Sequence, residues 1–558
     1  MQGRIKRRII NLCKELVRPQ RIVAIMLYGP RVSGYGGPGG HVEVLLVLSW
    51  KRPGIGFRLR QVDGVDVHVL MVDRRLVQWD ARWGLLGDCL AGRLFTPYVP
   101  LVGVERLWEL EVLLKRRIVL EALERLLWDY VEIAHELRIH PRYFLHEYMA
   151  RRAAIYPLSA YEYANIQRKD VKERNLNAMM VGFMEALREL EEEGWVRLQG
   201  GYVRIGKRLM GKRSWSRLPR VVRAAYRSAA THLMGLLPWV IRHHLNELSI
   251  HMRALRTLNV RSVLPELEDP RDYLYLPTST GMVPLSDGTT VDEFVRKIAP
   301  AGCKVDVRRI GWLLASTYLI TIRGDGWLRR VVVKKFADEK GLKWIPVSLW
   351  ALGARRFAML GDARLRREYA ATRLLRRHGI PAPDILHVSP RSLLIFKEYV
   401  EGENLVKLIK RAAARGKPTE DEVETMRRVG RRIAEIHRLG VTLGDCKPEN
   451  ILISRSGEVY LVDLEQAMVG GDEAWDLAEF IYLLAFYAPT SPKPPFLPPS
   501  EVLAQLAREF LVGYLEGGGS MSVVKRVLSP RYGRVFGVLV PHSAGVMTLL
   551  RGSMEASK

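Results

Sequence analysis

Asp445 and Asn450 stand five positions apart in the stretch GVTLGDCKPENILI, residues 440–453, with Lys447 between them and Asp463 lying 13 residues beyond Asn450. Carboxylate and amide oxygens are the donors that hold a cation of the magnesium class, and a lysine beside them offsets phosphoryl charge. Upstream, Lys334 and Lys335 close the β-branched run VVVKK, and Glu368 follows in RREY. Transfer of a γ-phosphoryl group rests on positioning and charge neutralisation, so it asks for a lysine on the nucleotide phosphates, carboxylates on the metal and a base near the acceptor. Taken singly, these are a surface lysine, a helix glutamate and a turn-capping aspartate; their joint order carries the reading.

Such groups work only on elements that aim them. CKVDVRRIG, YLITIRG and WLRRVVVKKF read as strands, and RLRREYAATRLLRRHG reads as a helix that stops at Gly379 ahead of Pro381 and Pro383. SLLIFKEYVEGENL follows as a strand, EDEVETMRRVGRRIAEIHRLG as a helix, and EVYLVDLEQA as the strand that carries Asp463. Strand alternation sends Lys334 and Lys335 to opposite faces, so only one of them can face a nucleotide, and Lys335 stays the rival of Lys334.

LGDCKPENIL resembles the HRDLKPEN catalytic loop of protein-kinase-like folds, with Leu443-Gly444 in place of His-Arg, and VDLEQ stands where a DFG would be. The Gly-Asp form is similar to the atypical RIO, Bud32 and aminoglycoside-phosphotransferase-type kinases of archaeal type. The resemblance covers roughly the last half of the chain and implies a cytoplasmic enzyme using ATP and Mg²⁺. Asp445 would be the catalytic base, Lys447 would neutralise the transferring group, and Asn450 and Asp463 would hold the metal. Lys334 would reach the phosphates and pair with Glu368, while Asp476 would bond the catalytic-loop backbone. Only Gly311 stands where a G-x-G-x-x-G is expected, so phosphate contacts fall to backbone near 315–317, with Ser316 as a hydroxyl donor. Eight residues separate Asp463 from Asp472, leaving no room for a long activation segment or its peptide platform. The acceptor therefore stays open between a protein Ser/Thr hydroxyl, a small molecule and a tRNA- or other RNA-associated group.

LYGPRVSGYGGPGGHVEVLLVL resembles the minimal nucleotidyltransferase motif, in which Gly-Ser precedes Asp-x-Asp on the next strand. Gly29 is kept, Pro30 replaces the serine, His41 and Glu43 occupy the carboxylate positions, and Asp66 is the candidate third ligand. Histidine is a poor Mg²⁺ ligand and proline offers a phosphate neither hydroxyl nor N–H, so the resemblance implies a degenerate domain.

The formal charge of +27 favours anionic partners, and the stretch 204–227 holds nine basic residues and no acidic one. Pro219 there would open a helix lining up Arg220, Arg223 and Arg227, a surface for nucleic acid or an acidic lipid headgroup, or a solvated face. A nucleic-acid-binding regulator that uses nucleotide as a switch is accordingly a further reading. Cys13, Cys89, Cys303 and Cys446 are too dispersed for a disulfide framework or a cysteine zinc cluster, and no apolar stretch reads as a transmembrane span. The helix ending at Gly194 and two short strands around Gly200-Gly201 follow winged-helix order. The chain is thus expected to be multidomain, α/β and α+β. Its expected parts are a nucleotidyltransferase-like α/β domain over 1–104, a helical and winged-helix-like region over 105–210, and a basic helical segment and linker over 211–290. A bilobal protein-kinase-like domain over 291–520 and a C-terminal extension over 521–558 complete it.

Overall fold

The apolar runs RIVAIMLY and VEVLLVLS form β1 (Arg21–Tyr28) and β2 (Val42–Ser49), an antiparallel pair with largely buried side chains. Three more strands, β3 (Ile55–Val62), β4 (Val65–Asp73) and β5 (Val99–Val102), complete a sheet of order β3-β4-β2-β1-β5 in which β2 and β4 run parallel. Strand β3 does not appear in the sequence reading, because Arg58, Arg60 and Gln61 break its apolar alternation; it is a largely exposed edge strand. The helix Gly3–Leu16 covers one face, placing Ile9 and Cys13 against Ile25, Val44, Leu46 and Val69.

A computed structural model describes residues 3–17, 21–37, 40–50, 53–210, 225–226, 229–232, 267–310, 317–337, 357–487, 500–540 and 543–556. Arg220, Arg223 and Arg227, and the loop positions Gly311 and Ser316, lie outside the described residues. The chain divides into two compact units, Met1–Tyr275 and Leu276–Lys558. Among the described residues, no helix is long and apolar enough to cross a membrane.

In the first unit the helix Val104–Asp129 is followed by the short β6 (Arg138–Ile139) and by helices Arg142–Ile155 and Pro157–Ile166, separated by Tyr156. The helix Lys172–Glu192 leads into a hairpin of β7 (Val196–Gln199) and β8 (Tyr202–Ile205). Gly200 and Gly201 turn that hairpin with φ of 58° and 80°, values glycine adopts without steric penalty. The acidic run before the hairpin is spent inside the unit: Arg116 pairs with Glu189 and Glu193, and Glu191 Oε1 accepts the Leu198 N–H at 2.6 Å.

The chain passes between units within β9 (Leu274–Thr278). In the second unit, β10 (Gly281–Pro284) precedes an antiparallel sheet of β11 (Lys304–Ile310), β12 (Thr317–Gly324), β13 (Trp327–Lys335), β14 (Ile385–Ser389) and β15 (Leu394–Glu398), ordered β11-β12-β13-β15-β14. The helix Val291–Ile298, opened by a capping box of Thr290 and Glu293, stacks Phe294 on Phe396 at 4.0 Å between ring centroids. The helix Gly361–Arg377 carries Glu368 on its buried face.

Beyond this sheet the unit is mainly helical. The short strands β16 (Gly402–Asn404), β18 (Ile451–Ser454) and β19 (Val459–Leu461) frame the catalytic-type loop, and β17 (Val441–Thr442) pairs with β20 (Met468–Val469). The helices Glu420–Arg438, Glu473–Tyr487 and Ser500–Glu516 share one core, to which Val524, Tyr532, Phe536 and Leu550 of the last three helices also belong.

Candidate active site

The register of β13 sets Lys334 opposite Thr317 on β12 and Ile395 on β15. Alternation then decides between the paired lysines: Lys334 is 8% exposed, whereas Lys335 faces solvent. The Lys334 ammonium lies 3.2 Å from Glu368 Oε2 and 3.0 Å from Glu465 Oε2, and it also pairs with Asp463. Burial, the largest influence, would lower its pKa; the charges of Asp463, Glu368 and Glu465 outweigh this and hold the ammonium above its ordinary range.

Glu368 is fully buried, and its Oε1 takes a second ion pair from Lys397 on β15. One turn earlier on the same helix, Arg364 donates to Glu465 Oε2 at 3.3 Å and to the Ala337 carbonyl at 2.5 Å. Three cations thus face Glu368, Glu465 and Asp463, and each buried charge has an opposite partner, as burial demands. Gln466 ties the same turn down, since its amide donates to Ala358 O at 3.0 Å and accepts from Ala358 N at 2.8 Å.

Lys397 and Glu465 are absent from the sequence-derived set. A lone lysine inside the apolar run LIFKE was the available signal for the first, because strands buried on both faces rarely carry an unpaired charge. Glu465 gave no such signal.

The loop carrying Asp445 is held from behind. Asp476, fully buried on the helix Glu473–Tyr487, accepts the Leu443 N–H at 2.6 Å and the Gly444 N–H at 2.7 Å. His437 Nε2 lies 3.1 Å from the same carboxylate, and its Nδ1 lies 3.0 Å from Tyr514 Oη. Glu479, one helical turn on from Asp476, accepts the Cys446 N–H at 2.8 Å. Burial first and the Asp445 charge second push the Glu479 carboxyl well above the usual range.

Within the loop, Asn450 Nδ2 donates to Asp445 O at 2.9 Å and to Asp445 Oδ2 at 3.2 Å, so the amide oxygen is the atom turned away from Asp445. Lys447 Nζ lies 3.2 Å from Asp445 Oδ2 and 2.8 Å from Glu449 Oε1. The Val462 N–H donates to Asn450 O at 3.0 Å, tying the loop to the strand end that presents Asp463. Asp463 itself adopts φ of 59°, in the left-handed region that a non-glycine residue enters only where its surroundings hold it.

The family model of the lipopolysaccharide kinase (Kdo/WaaP) family matches residues 331–484, which contain all of these groups except Tyr514. The KEOPS complex subunit Bud32 of Pyrococcus abyssi is 34% identical over 107 residues, 18% of this chain and 46% of that protein. A probable serine/threonine-protein kinase, the BUD32 homolog of Archaeoglobus fulgidus, is 28% identical over 169 residues, 30% of this chain and 74% of that protein. The second unit is kinase-like. The chain spans about half the length of the first of these relatives and about three quarters of the second.

In the first unit, the positions singled out in the β1–β2 region also converge, with one difference. His41 and Glu43 lie at the start of β2, His41 Nε2 3.5 Å from Glu43 Oε1. Gly29, at φ of 81° and ψ of −163°, passes so close to Glu43 that a Cβ there would overlap the carboxylate. Asp66 is not brought in: it is exposed, and its Oδ1 accepts from Gln61 at 3.5 Å. The place beside Glu43 belongs to His68, its parallel register partner on β4, and the His68 ring stacks on His41 at 4.0 Å between centroids. Burial would raise the Glu43 carboxyl, but the His41 hydrogen bond and the charges of Arg93, His41 and His68 outweigh it and hold the group low.

Proposed function

We propose that the chain is an ATP- and Mg²⁺-dependent phosphotransferase, an atypical serine/threonine protein kinase whose active site lies in the second unit. The observation that carries this is the buried Lys334 ammonium meeting Glu368 from the helix Gly361–Arg377 and Asp463 from the strand end after the loop. Residues 129 positions apart in sequence have no packing reason to assemble such a charge-dense cluster, and burial makes it costly unless it serves a site.

The donor set fits the metal: Asp463 carboxylate and Asn450 amide oxygens are the hard ligands Mg²⁺ takes, and no nitrogen or sulfur donor stands among the proposed ligands. Bound there, Mg²⁺ and ATP supply the γ-phosphoryl group and offset its charge. Lys334, steadied by Glu368, orients the phosphates. Asp445 accepts or orients the acceptor hydroxyl proton, and Lys447, 3.2 Å away, balances charge beside it. Asp476 and Glu479 hold the backbone that aims Asp445.

The test is incubation of the full chain with γ-labelled ATP, alone and with protein substrates. Label on serine or threonine that disappears in Asp463→Ala and Asp445→Asn, with unfolding midpoints retained, is the expected result. Undiminished ATP turnover in Asp463→Ala would remove the assignment.

A second reading, a phosphotransferase or ATPase acting on a small-molecule or RNA-associated group, is favoured by the short path from Asp463 to Asp472. That path contains β20, which pairs back onto β17. One relative is also named as a subunit of a complex rather than as a free-standing kinase. Release of inorganic phosphate without label on protein, or label on added tRNA, would select this reading.

A further inference from the structure

We propose that His41, Glu43 and His68 form a mononuclear binding site for a late divalent transition metal of the zinc class in the first unit.

Three observations carry it. Each of the three side chains offers a ligand atom, and these atoms all lie within 4.8 Å of one another. The topology brings the three together: His41 and Glu43, two positions apart, point to one side of β2, and the parallel register places His68 of β4 directly beside Glu43. The two imidazoles stack with planes 19° apart, so one ring turns out of the stack for both nitrogens to meet a single ion. The one separation resolved between ligand atoms, 3.5 Å from His41 Nε2 to Glu43 Oε1, is close to the tetrahedron edge of about 3.3 Å implied by zinc–ligand bonds of about 2.0–2.1 Å.

The donor chemistry chooses the metal. Two imidazole nitrogens and one carboxylate suit zinc, cobalt or nickel, whereas Mg²⁺ prefers oxygen donors throughout. A two-metal phosphoryl centre would need clustered carboxylates; one carboxylate between two imidazoles holds a single ion. Three protein ligands leave a fourth position for water, the arrangement of catalytic rather than structural zinc. The carboxylate is positioned before any ion arrives, because Gly29 provides the space it fills.

The test uses the full chain, stripped with a chelator and kept in excess Mg²⁺ to occupy oxygen-donor sites. Titration with Co²⁺ should give, at one equivalent, the visible absorption of a four- or five-coordinate ion, which Zn²⁺ abolishes. Zn²⁺ affinity, measured by competition with a chromogenic chelator, should fall in His41→Ala and His68→Ala by at least the ~100-fold that loss of a mere outer partner can cost. Glu43→Gln, which preserves shape and removes the anion, should weaken binding in the same direction. Metal-free unfolding midpoints of the variants should match the parent, which separates ligand loss from misfolding. An unchanged Co²⁺ spectrum and affinity in the His41→Ala/His68→Ala double variant, no cobalt absorption in the parent, or displacement of Zn²⁺ by equimolar Mg²⁺ would each overturn the proposal.

Discussion

The two polar clusters of this protein differ both in the elements that build them and in their atoms. Around Lys334, three cationic side chains meet three carboxylates, all drawn from a sheet, a helix and the turn after a strand. Around Glu43, two imidazoles flank one carboxylate across a pair of parallel strands. The first arrangement is balanced only while every charge is present. The second sets one carboxylate between two partly exposed imidazoles and presents nitrogen as well as oxygen. On the readings proposed above, donor identity sets which cation each region would serve.

The sharpest way to break this comparison is to remove the cation at the centre of the first cluster. Lys334→Met should lower kcat/KM for ATP by on the order of 10³-fold, as loss of a preorganised charge partner does, while exposed Lys335→Met stays within about twofold. Steady-state kinetics of the two variants decide it, and equal losses would erase the distinction between the lysines.

Next in size is the support behind the loop. Asp476→Ala leaves the Leu443 and Gly444 N–H groups without their buried acceptor and should destabilise the second unit by roughly 3–4 kcal/mol in denaturant unfolding. A change below about 1 kcal/mol would show that the loop finds other acceptors.

Acid should loosen the first unit through His146, which is buried against Tyr273 with ring centroids 4.6 Å apart. Burial, partly opposed by Glu268, lowers its pKa from the ordinary 6.5 to about 4. Between those values the unfolded chain binds the proton and the folded chain does not. Stability is therefore intact above pH 6.5 and declines as pH falls toward 4, by up to roughly 3 kcal/mol. Unfolding midpoints measured across this range should slope in the parent and flatten in His146→Phe.

The smallest effect belongs to the second cluster. Gly29→Ala forces an L-residue into a glycine-only backbone region and should cost roughly 1–3 kcal/mol while displacing Glu43. Calorimetry with and without Zn²⁺ should show the variant losing the metal-dependent rise in Tm as well.

Much of the second unit was legible from periodicity and punctuation. Its strands alternate or run apolar, and the helix around Glu368 ends where Gly379 and the following prolines require. The loop with Asp445, Lys447 and Asn450 was legible because its members are close in sequence. Strands β3 and β14 were not, the first through its charged edge positions and the second because Pro381 and Pro383 just before it read only as the stop of the preceding helix. Nor was His68: Asp66 was the expected third ligand, and a parallel register between β2 and β4 cannot be counted from one strand alone.

The sequence by itself determined which donor atoms exist, their order along the chain, and that Lys334 and Lys335 must face opposite ways. Only the tertiary structure decided which face is covered, because that depends on the helix packed there. It brought Glu368, Glu465 and Asp463 around one ammonium, with Lys397 and Arg364 pairing the first two, and it put His68 rather than Asp66 beside Glu43. Spacing along a strand or helix sets direction, whereas partnership across elements is set by packing and register, where long-range burial outweighs any local preference.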